Sequence, residues 1–251
     1  MIDLNSTSAL SDRINDRIDA VMAAARDAET PRDYLGASIL GDACERAIQY
    51  RHLQVAPDPG KGFPPRVLRC FDRGRWAEDY AISLLKASGW VLLEHDPDTG
   101  EQWAFEAQGG RVKGHADGVL VMWRGEGPAL IPMPAVWECK CLNNKSWSKS
   151  KRDKLRVAHP RYFGQMQLYM GEMRLSQGLF TSLNADTMEL HHELVAYEAQ
   201  AHQALQDRAQ RILNACDAGE MLPRGLADSS RVECKWCDWA QRCWEKGGEN
   251  V

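Results

Sequence analysis

The sequence predicts an α/β protein in which a β-sheet is flanked by helices, on three observations. Apolar residues recur at helical spacing near both ends of the chain. Between residues 90 and 142, four runs with strand character are separated by turn sequences rich in Gly, Pro and Asp. Two further strand-like runs, at 177–185 and 187–195, follow a helical segment that begins near Pro160. Strands in the middle of the chain with helices on either side indicate a sheet covered by helices.

Length and composition bound the class of protein. The chain has 251 residues, 44% hydrophobic and 26% charged, which is typical of a soluble globular protein, and we expect one domain spanning residues 1–251. No apolar run approaches the ~20 residues of a membrane helix, and the N-terminus lacks the pattern of a secretory signal. A cytoplasmic protein with no membrane partner is therefore expected. The net charge of −4 argues against a protein that coats nucleic acid without sequence preference. A local basic groove can still bind nucleic acid despite the negative net charge.

The N-terminal part, residues 1–65, is predicted to be helical. A first amphipathic helix covers 8–28 and is expected to pack against the rest of the domain. Its apolar stripe consists of Ile14, Ile18, Val21 and Met22. A second helix covers roughly 38–53, with Ser38 as its N-cap and Cys44 on its inward face.

The central part, residues 66–196, is predicted to hold the sheet. Its first helix ends at Gly89 and contains Gly74, which costs about 1 kcal/mol relative to Ala in a helix interior. Gly74 therefore marks either the helix start or the close approach of another backbone. An antiparallel meander follows, with strands at 90–95, 102–108, 111–123 and 134–142. The last part, 197–251, begins with a helix over 197–216 and ends in a cysteine-rich tail.

Glu138 and Lys140 lie two residues apart on the last strand of the meander. Because side chains alternate along a strand, these two share one face, whereas Cys139 and Cys141 share the other and are expected to pack in the core. Asp117 lies on the neighbouring strand. Two carboxylates and a lysine suit Mg²⁺-dependent hydrolysis of a phosphodiester, since Mg²⁺ prefers oxygen ligands and lysine can orient the attacking water. An exposed salt bridge on the sheet is the alternative explanation of the Glu-x-Lys pair alone.

Four motifs in order resemble the PD-(D/E)XK nuclease superfamily, in its RecB-like branch. The family pattern is a helix with Gly-x-x-x-His or Glu, a strand with Gly-x-x-Asp, a strand with Glu-x-Lys and a helix with Gln-x-x-x-Tyr. This sequence shows Gly74 to Glu78, Gly114 to Asp117, Glu138 to Lys140 and Gln165 to Tyr169. The resemblance covers roughly residues 38–245. It implies a restriction-endonuclease-like core with a mixed central sheet flanked by helices, and it makes residues 66–196 the catalytic core.

The resemblance assigns the metal ligands and the lysine. Asp117 and Glu138 would bind Mg²⁺ or Mn²⁺ with the help of the Cys139 carbonyl, and Lys140 would position the attacking water. Glu78 stands where many relatives carry His and is a further candidate ligand.

Three other residues belong to the same expected site. His115 lies two residues before Asp117 and is a candidate metal ligand, with a locally hydrogen-bonded strand residue as the alternative. Gln165 and Tyr169 are four residues apart on one helix face and would act near the substrate. Ordinary helix packing is the alternative for Tyr169.

A basic run follows the Glu-x-Lys strand, between residues 143 and 161. Within it we predict DNA contacts by Lys145, Trp147, Lys149, Lys151 and Arg152. The cations would hold the phosphate backbone, and the Trp147 ring would stack on a base. A solvated loop is the alternative.

Three cysteines in the tail have the spacing C-x₂-C-x₅-C, and a metal centre needs a fourth thiolate. This arrangement resembles the iron–sulfur nucleases of the same superfamily, found in CRISPR adaptation, helicase–nucleases and phages, in which a lone cysteine precedes the nuclease motifs. The resemblance implies a [4Fe–4S] cluster that staples the two ends of the domain. Its ligands would be Cys44, Cys234, Cys237 and Cys243. Zn²⁺ at these cysteines is the alternative.

These observations together predict a metal-dependent DNA exonuclease that hydrolyses phosphodiester bonds at DNA ends. A structure-specific endonuclease on the same fold is one alternative. A non-catalytic DNA-binding or adaptor protein is the other. Single-stranded DNA or duplex ends are the expected partners, with recombination or CRISPR-adaptation proteins as further candidates.

Overall fold

The computed structural model describes residues 7–245; the two ends of the predicted domain, residues 1–6 and 246–251, lie outside them. Within this range the helices are α1 Thr7–Asp27, α2 Ala37–Leu40, α3 Glu45–His52, α4 Pro65–Ala87, α5 Asn144–Ala158, α6 Pro160–Glu172, α7 Ala199–Asp217, α8 Val232–Lys235 and α9 Ala240–Trp244. None of these described helices has the length and apolar character to cross a membrane.

The described strands form two sheets. They are β1 Leu35–Gly36, β2 Trp90–Leu93, β3 Ala104–Ala107, β4 Val112–His115, β5 Gly118–Trp123, β6 Ala135–Leu142, β7 Gln177–Asn184 and β8 Leu190–Ala196. The smaller sheet has the order β1-β4-β3, and the larger one has the order β2-β5-β6-β7-β8. Pairing is antiparallel except between β1 and β4 and between β6 and β7. The larger sheet is therefore mixed, with β6 at its centre.

The prediction of one antiparallel meander is wrong, because the third predicted strand, 111–123, divides between the two sheets. The break lies at Ala116 and Asp117, between β4 and β5. The Ala116 amide donates to the Trp103 carbonyl at 2.9 Å, while the Ala116 carbonyl accepts from the Gln102 side chain at 3.2 Å. The chain leaves one ladder here and enters the other, so Asp117 sits at the junction of the sheets.

The larger sheet has a hydrophobic core on each face. One core contains Val136 and Phe180 together with α6 and α7 side chains such as Met166 and Ile212. The other contains residues of α4 together with Trp137, Cys139 and Leu120. Alternation along β6 therefore buries Cys139 on the α4 side, as predicted, and directs Glu138 toward the α6 side.

The predicted helix over 38–53 is interrupted, and Ser38 is not its N-cap. Gly36 caps α2, and the chain turns at Gly41 before α3 begins. A Cβ atom at Gly41 would lie 2.7 Å from the Arg161 Cα, so the backbones of α2 and α6 meet where only glycine fits. Cys44 becomes the N-terminal flanking residue of α3 and does not lie on an inward helical stripe.

The first helix forms as predicted but does not bury its predicted stripe. Ile14 is 51% exposed, Ile18 45% and Val21 70%. Helix α1 contacts α4 through Asp19, which pairs with Arg69, and through Met22, whose Sδ lies 3.9 Å from Arg69 Nη1. The expectation that this stripe packs against the domain is therefore wrong for Ile14, Ile18 and Val21.

The cysteine-rich tail docks on the N-terminal part of the chain. The Trp239 ring lies 5.8 Å from the Tyr50 ring, and its indole nitrogen donates to the Val55 carbonyl at 2.9 Å. The buried Asp58 carboxylate accepts from the Gln241 amide at 2.7 Å and so caps the start of α9. Residues 50–58 of the N-terminal part and residues 239–241 of the tail are thus joined by direct contacts.

Candidate active site

Asp117 is held at the sheet junction by the backbone of the central strand. Its Oδ2 accepts a hydrogen bond of 2.8 Å from the Cys139 amide, and the side chain is 14% exposed. Because the residue lies between β4 and β5, its carboxylate reaches across to β6. The predicted proximity of Asp117 to the Glu-x-Lys strand is confirmed.

Glu138 is a fully buried carboxyl group with one unused oxygen. Its Oε1 accepts from Lys140, whereas its Oε2 has no hydrogen-bond partner. A buried carboxylate oxygen without a partner costs about 1–3 kcal/mol or more in desolvation. Such an oxygen is a suitable ligand position for a cation.

Lys140 connects the acidic groups. Its Nζ donates to Glu138 and, at 3.0 Å, to the Cys139 carbonyl, and it lies 3.9 Å from Asp117 Oδ2. The ammonium group also lies 5.6 Å from the centre of the Tyr162 ring. The arrangement brings Asp117, Glu138, Lys140 and the Cys139 carbonyl together around one point, as the sequence predicted.

Glu138 and Lys140 both have raised pKa values, for different reasons. Burial raises the pKa of Glu138 to about 8, the Asp117 carboxylate adds to the rise, and Lys140 opposes it. Burial would lower the pKa of Lys140, but the carboxylates of Glu138 and Asp117 outweigh it and hold that pKa well above its usual value. When both acids are ionised, they exceed the one ammonium group by one negative charge, which a divalent cation can neutralise in competition with the proton on Glu138.

Glu78 belongs to the same electrostatic cluster, although it comes from α4. Burial raises its pKa to about 7, and Asp117 raises it further while Lys140 lowers it. Gly74, one turn earlier, lies inside α4, and a Cβ atom there would meet nothing within 4 Å. Neither sequence explanation of Gly74 is correct, since it marks neither a helix start nor a close backbone. It leaves open space one helical turn before Glu78.

The residues fit a cation that keeps water and substrate oxygens in its shell. Within residues 7–245, no three His, Cys, Asp or Glu side chains converge closely enough to hold a metal ion alone. Mg²⁺ commonly uses one or two carboxylates and takes its other ligands from water and phosphate. Asp117, the free Oε2 of Glu138 and the Cys139 carbonyl can supply that partial set, with Glu78 as a further donor.

Gln165 and Tyr169 connect α6 to the strand that precedes Asp117. The buried Tyr169 hydroxyl donates to the His115 carbonyl at 2.6 Å and accepts from Gln165 Nε2 at 2.7 Å. Its ring fills the space above Gly114, where a Cβ would clash with both Tyr169 and Phe105. Gly114 therefore leaves the room that the Tyr169 ring fills. The hydroxyl, through the His115 carbonyl, positions the backbone that leads to Asp117.

A cavity of about 130 Å³ opens beside these residues, and the sequence reasoning missed most of it. Its lining consists of Arg32, Tyr34, Gly36, Ala37, Ser38, Lys113, Gly114, His115, Gln165 and Tyr169. Arg32 and Ser38 lie far from the motifs in sequence, and the pairing of β1 with β4 brings them beside Lys113, which directly precedes Gly114. Arg32, Lys113 and Ser38 give the cavity donors for an anion, and Lys113 is already paired with Glu106 at 2.6 Å. His115 lines this cavity, and its carbonyl, not its ring, contacts Tyr169.

The basic run after β6 is a helix, α5, and not a loop. Lys145, Lys149, Lys151 and Arg152 are exposed on it, although Arg152 is paired with Asp153 at 2.7 Å. The prediction that Trp147 stacks on a base is wrong. Its ring is only 5% exposed, its indole nitrogen donates to the Ser182 carbonyl at 3.2 Å, and Lys151 covers the ring at 5.3 Å.

Three of the four predicted cluster cysteines are near one another. Burial raises the pKa of the Cys237 thiol, and the neighbouring Cys44 and Cys243 raise it further. Arg46 Nη1 lies 3.9 Å from Cys243 Sγ. Cys234 is buried one turn before Cys237, and its carbonyl accepts the Cys237 amide at 3.0 Å. The described thiols are free and have the donor chemistry for iron or zinc, without a preformed set of ligands around one point.

Solved structures with a similar fold include nucleases. An alkaline exonuclease (LHK-Exo) from Laribacter hongkongensis aligns over 75% of this chain and 90% of its own, with a TM-score of 0.50 and 15% identity. LHK-Exo in complex with dAMP aligns over 74% and 89%, with a TM-score of 0.49 and 16% identity. SSO0001 aligns over 95% and 98%, with a TM-score of 0.49 and 15% identity.

At such identities the likeness shows the fold alone. It confirms the predicted mixed central sheet flanked by helices, while the iron–sulfur staple stays a prediction. The sequence matches no known protein-family profile and no curated protein.

The raised pKa of Glu138 predicts how the stability of the metal-free protein depends on pH. An acid whose pKa rises from 4.5 to about 8 on folding binds its proton more tightly in the folded state. The free energy of unfolding should therefore fall as the pH rises above 4.5 and level off above about 8. Between pH 6 and pH 8 this one group contributes a loss of about 2 kcal/mol. Urea unfolding in EDTA of the wild type and of Glu138→Gln measures the effect, and the variant should lack this part of the slope.

The matched control is Glu126→Gln, a substitution of an exposed glutamate in the β5–β6 loop. It should keep the wild-type slope. Equal slopes for wild type and Glu138→Gln would contradict the assignment. Mg²⁺ should stabilise the wild type more at pH 8 than at pH 6, because protons compete for the same carboxylates.

Proposed function

We propose that this protein is a Mg²⁺- or Mn²⁺-dependent deoxyribonuclease that removes nucleotides from DNA ends. The observation that carries the proposal is the unpartnered, fully buried Oε2 of Glu138 beside Asp117 and Lys140. Structural ion pairs on sheets use their oxygens in hydrogen bonds, whereas this carboxylate leaves one oxygen open in a surplus of negative charge. The exposed salt bridge considered from the sequence does not account for a fully buried glutamate.

Each residue then has a defined task. A bound divalent ion supplies Lewis-acid stabilisation of the phosphoryl oxygens and favours ionisation of water. Asp117, Glu138 and the Cys139 carbonyl would hold this ion, and Glu78 would add an oxygen ligand. Lys140 Nζ, which already contacts both carboxylates, donates to the attacking water or to the phosphate and holds it in line.

The anion cavity beside the site supports an exonuclease over an endonuclease. Its lining includes Arg32 and Lys113 together with Gln165 and Tyr169. A small recess with cationic side chains suits a terminal phosphate better than a continuous backbone, which needs a long groove. The fold similarity to a protein named as an alkaline exonuclease agrees with this proposal. A non-catalytic adaptor would have no need of the retained lysine and carboxylates.

Hydrolysis should require both the metal and Lys140. End-labelled linear DNA with Mg²⁺ should be degraded by the wild type, and EDTA should abolish the reaction. Lys140→Ala and Asp117→Asn should each lower the rate by a factor of at least about 100, because each removes a group that acts in the transition state. Lys61→Ala is the control, since this exposed lysine lies in the loop before α4 and contacts the Lys235 carbonyl at 3.1 Å.

The substrate form separates the alternatives. An exonuclease degrades linear DNA and spares covalently closed circles, whereas nicking of closed circles would favour the endonuclease. Cleavage of linear DNA that persists in Lys140→Ala or in EDTA would contradict the mechanism. Binding of DNA without any hydrolysis by the wild type would favour the adaptor.

Helix α5 is proposed to hold the DNA backbone. Its exposed lysines follow directly after the Glu-x-Lys strand, so phosphate held there lies along the path to the site. Lys145→Ala and Lys149→Ala should each weaken DNA binding, and each should reduce the slope of log affinity against log salt by about 1. Glu126→Ala is a control for general surface charge, and an unchanged salt slope in both lysine variants would remove α5 from the interface.

We also propose a [4Fe–4S] cluster at Cys44, Cys234, Cys237 and Cys243, which would place the chain in the iron–sulfur branch of the RecB-like nucleases. The proximity of three of these thiols at the contact between the two ends supports it. Protein purified without oxygen should be brown and contain iron and sulfide in stoichiometric amounts. Cys237→Ser should lose the colour, and Cys70→Ser, at an exposed cysteine of α4, should keep it. Colourless protein with one tightly bound zinc would favour the alternative.

A further inference from the structure

The cysteine-rich tail meets a buried arginine that forms no ion pair. Arg46 lies on α3 and is only 6% exposed. Its Nε donates to the Leu222 carbonyl at 2.5 Å, and its Nη1 lies 3.9 Å from Cys243 Sγ. Within residues 7–245, no carboxylate is paired with Arg46. A buried guanidinium group normally faces an anion, because a charge without compensation is costly away from water.

A second exception lies one helical turn further along α3. The Tyr50 side chain is 1% exposed, and its hydroxyl finds no hydrogen-bond acceptor in the described part of the chain. Buried tyrosine hydroxyls usually have a partner. Arg46 and Tyr50 are four residues apart, so they share one face of the helix. A cation and a hydroxyl on this face are therefore both buried without the anion or acceptor that would satisfy them.

Both groups lie beside Cys243. The Tyr50 ring is 5.8 Å from the Trp239 ring, and the Trp239 carbonyl accepts from the Cys243 amide at 2.9 Å. Burial raises the pKa of Tyr50, the charge on Cys243 raises it further, and Arg46 lowers it. The three side chains are thus close enough to influence one another, and a negatively charged sulfur at Cys243 would face both the guanidinium group and the hydroxyl.

The same helix also determines what packs on Cys44. Gln49 Oε1 accepts from the Leu222 amide at 2.8 Å, while Arg46 binds the carbonyl of the same residue. Three residues later, a Cβ atom at Gly225 would lie 3.1 Å from Cys44 Sγ. The loop that α3 holds in this way covers the Cys44 thiol closely. One helix therefore sets the surroundings of candidate ligands from both ends of the chain.

We propose that Arg46 and Tyr50 are the counter-charge and the hydrogen-bond donor of a metal centre in which Cys243 is a thiolate ligand. The proposal rests on the centre proposed above at the four cysteines and adds the residues that compensate its charge. Four thiolates around Zn²⁺ or a [4Fe–4S]²⁺ core leave an excess of two negative charges. The buried guanidinium group offsets part of this excess, and the hydroxyl gains the acceptor that it lacks in the metal-free protein.

The reduction potential of the cluster is the first measurement, by EPR-monitored titration of the full chain with dithionite in the absence of oxygen. Reduction adds one negative charge, which a nearby cation and a hydrogen-bond donor favour. Arg46→Gln should therefore disfavour the reduced form about tenfold, which lowers the midpoint potential by about 59 mV for one electron. Tyr50→Phe should disfavour it about threefold, or roughly 28 mV by the same relation. Arg46→Lys keeps the charge and should retain most of the wild-type potential.

Zinc affinity is the second measurement and applies if the cysteines hold zinc instead of a cluster. Competition with a chelating dye should show that Arg46→Gln raises the dissociation constant of zinc about tenfold, because residues behind metal ligands commonly contribute 10- to 100-fold to affinity. Arg46→Lys should bind zinc nearly as tightly as the wild type.

Tyr50→Phe separates this role from ordinary packing. In the metal-free protein the hydroxyl has no acceptor, so its removal should leave the midpoint of urea unfolding unchanged or raise it. The same substitution should weaken the metal-bound form. A purely structural tyrosine would lower the stability of both forms. This variant also keeps the test valid if Arg46→Gln fails to fold.

Arg51→Gln is the matched control. Arg51 lies on the same helix and also meets the tail, but it is 3.7 Å from the Asp238 carboxylate, and its guanidinium group stacks over the Trp239 ring at 5.7 Å. Its charge is already offset, so its removal should change the potential and the zinc affinity much less than Arg46→Gln. Tyr80→Phe, at an exposed tyrosine of α4, is the control for loss of a hydroxyl.

The outcomes distinguish this proposal from the metal centre on which it rests. Wild-type potential and zinc affinity in Arg46→Gln and Tyr50→Phe, or an equal change in Arg51→Gln, would overturn the proposal and leave the centre in place. Tight zinc binding that depends on Arg46 would support the proposal and contradict the cluster. A wild type that takes up neither iron nor zinc would contradict both, whereas its hydrolysis of DNA tests the nuclease function independently.

Discussion

Strand β6 carries a carboxylate and an ammonium group into the interior side by side, and the surrounding elements depend on that pair. Removing one partner of a buried ion pair typically costs 3–5 kcal/mol, because the other charge is left without compensation. Lys140 is stabilised by two acids from different parts of the chain, so its position is fixed only when both are in place. The central place of β6, between the antiparallel β5 and the parallel β7, buries Glu138 fully, while the Lys140 side chain stays 25% exposed.

The candidate site is assembled from three different kinds of local structure. Asp117 comes from a junction between two sheets, Glu78 from the middle of a helix, and Lys140 from the central strand. The hydrogen bond from Tyr169 to the His115 carbonyl connects α6 to the chain two residues before Asp117. Packing of the Tyr169 ring on Gly114 then sets how closely α6 approaches the β4 backbone just before that junction. The glycine and the tyrosine, which contribute no charge, determine where the charges meet.

The sequence was sufficient for features that depend on local periodicity. Side-chain alternation correctly separated Glu138 and Lys140 from Cys139, and helical spacing located the long helices. It was insufficient where a contact between distant segments decides the outcome. Nothing local shows that the strand over 111–123 breaks at Ala116, since the hydrogen bonds that divert it come from residues 102 and 103. The ring of Trp147 reads as an exposed aromatic among lysines, yet it is buried under Ser182 and Lys151. Arg32 and Ser38 had no motif to mark them, and they reach the site only through the short parallel pairing of β1 with β4.

That two-residue strand has a consequence for the modularity of the domain. Leu35 and Gly36 pair with Val112 and Lys113, five and four residues before the candidate metal ligand Asp117. Leu35 is fully buried in the same core as Met166 and Phe180. A segment cut at residue 66, where the motif region begins, would lose an edge of the smaller sheet and part of the cavity lining. The N-terminal segment is therefore not an appendage that could be exchanged between related proteins as a unit. Its sequence and that of β4 are expected to change together in evolution, even though some 75 residues separate them.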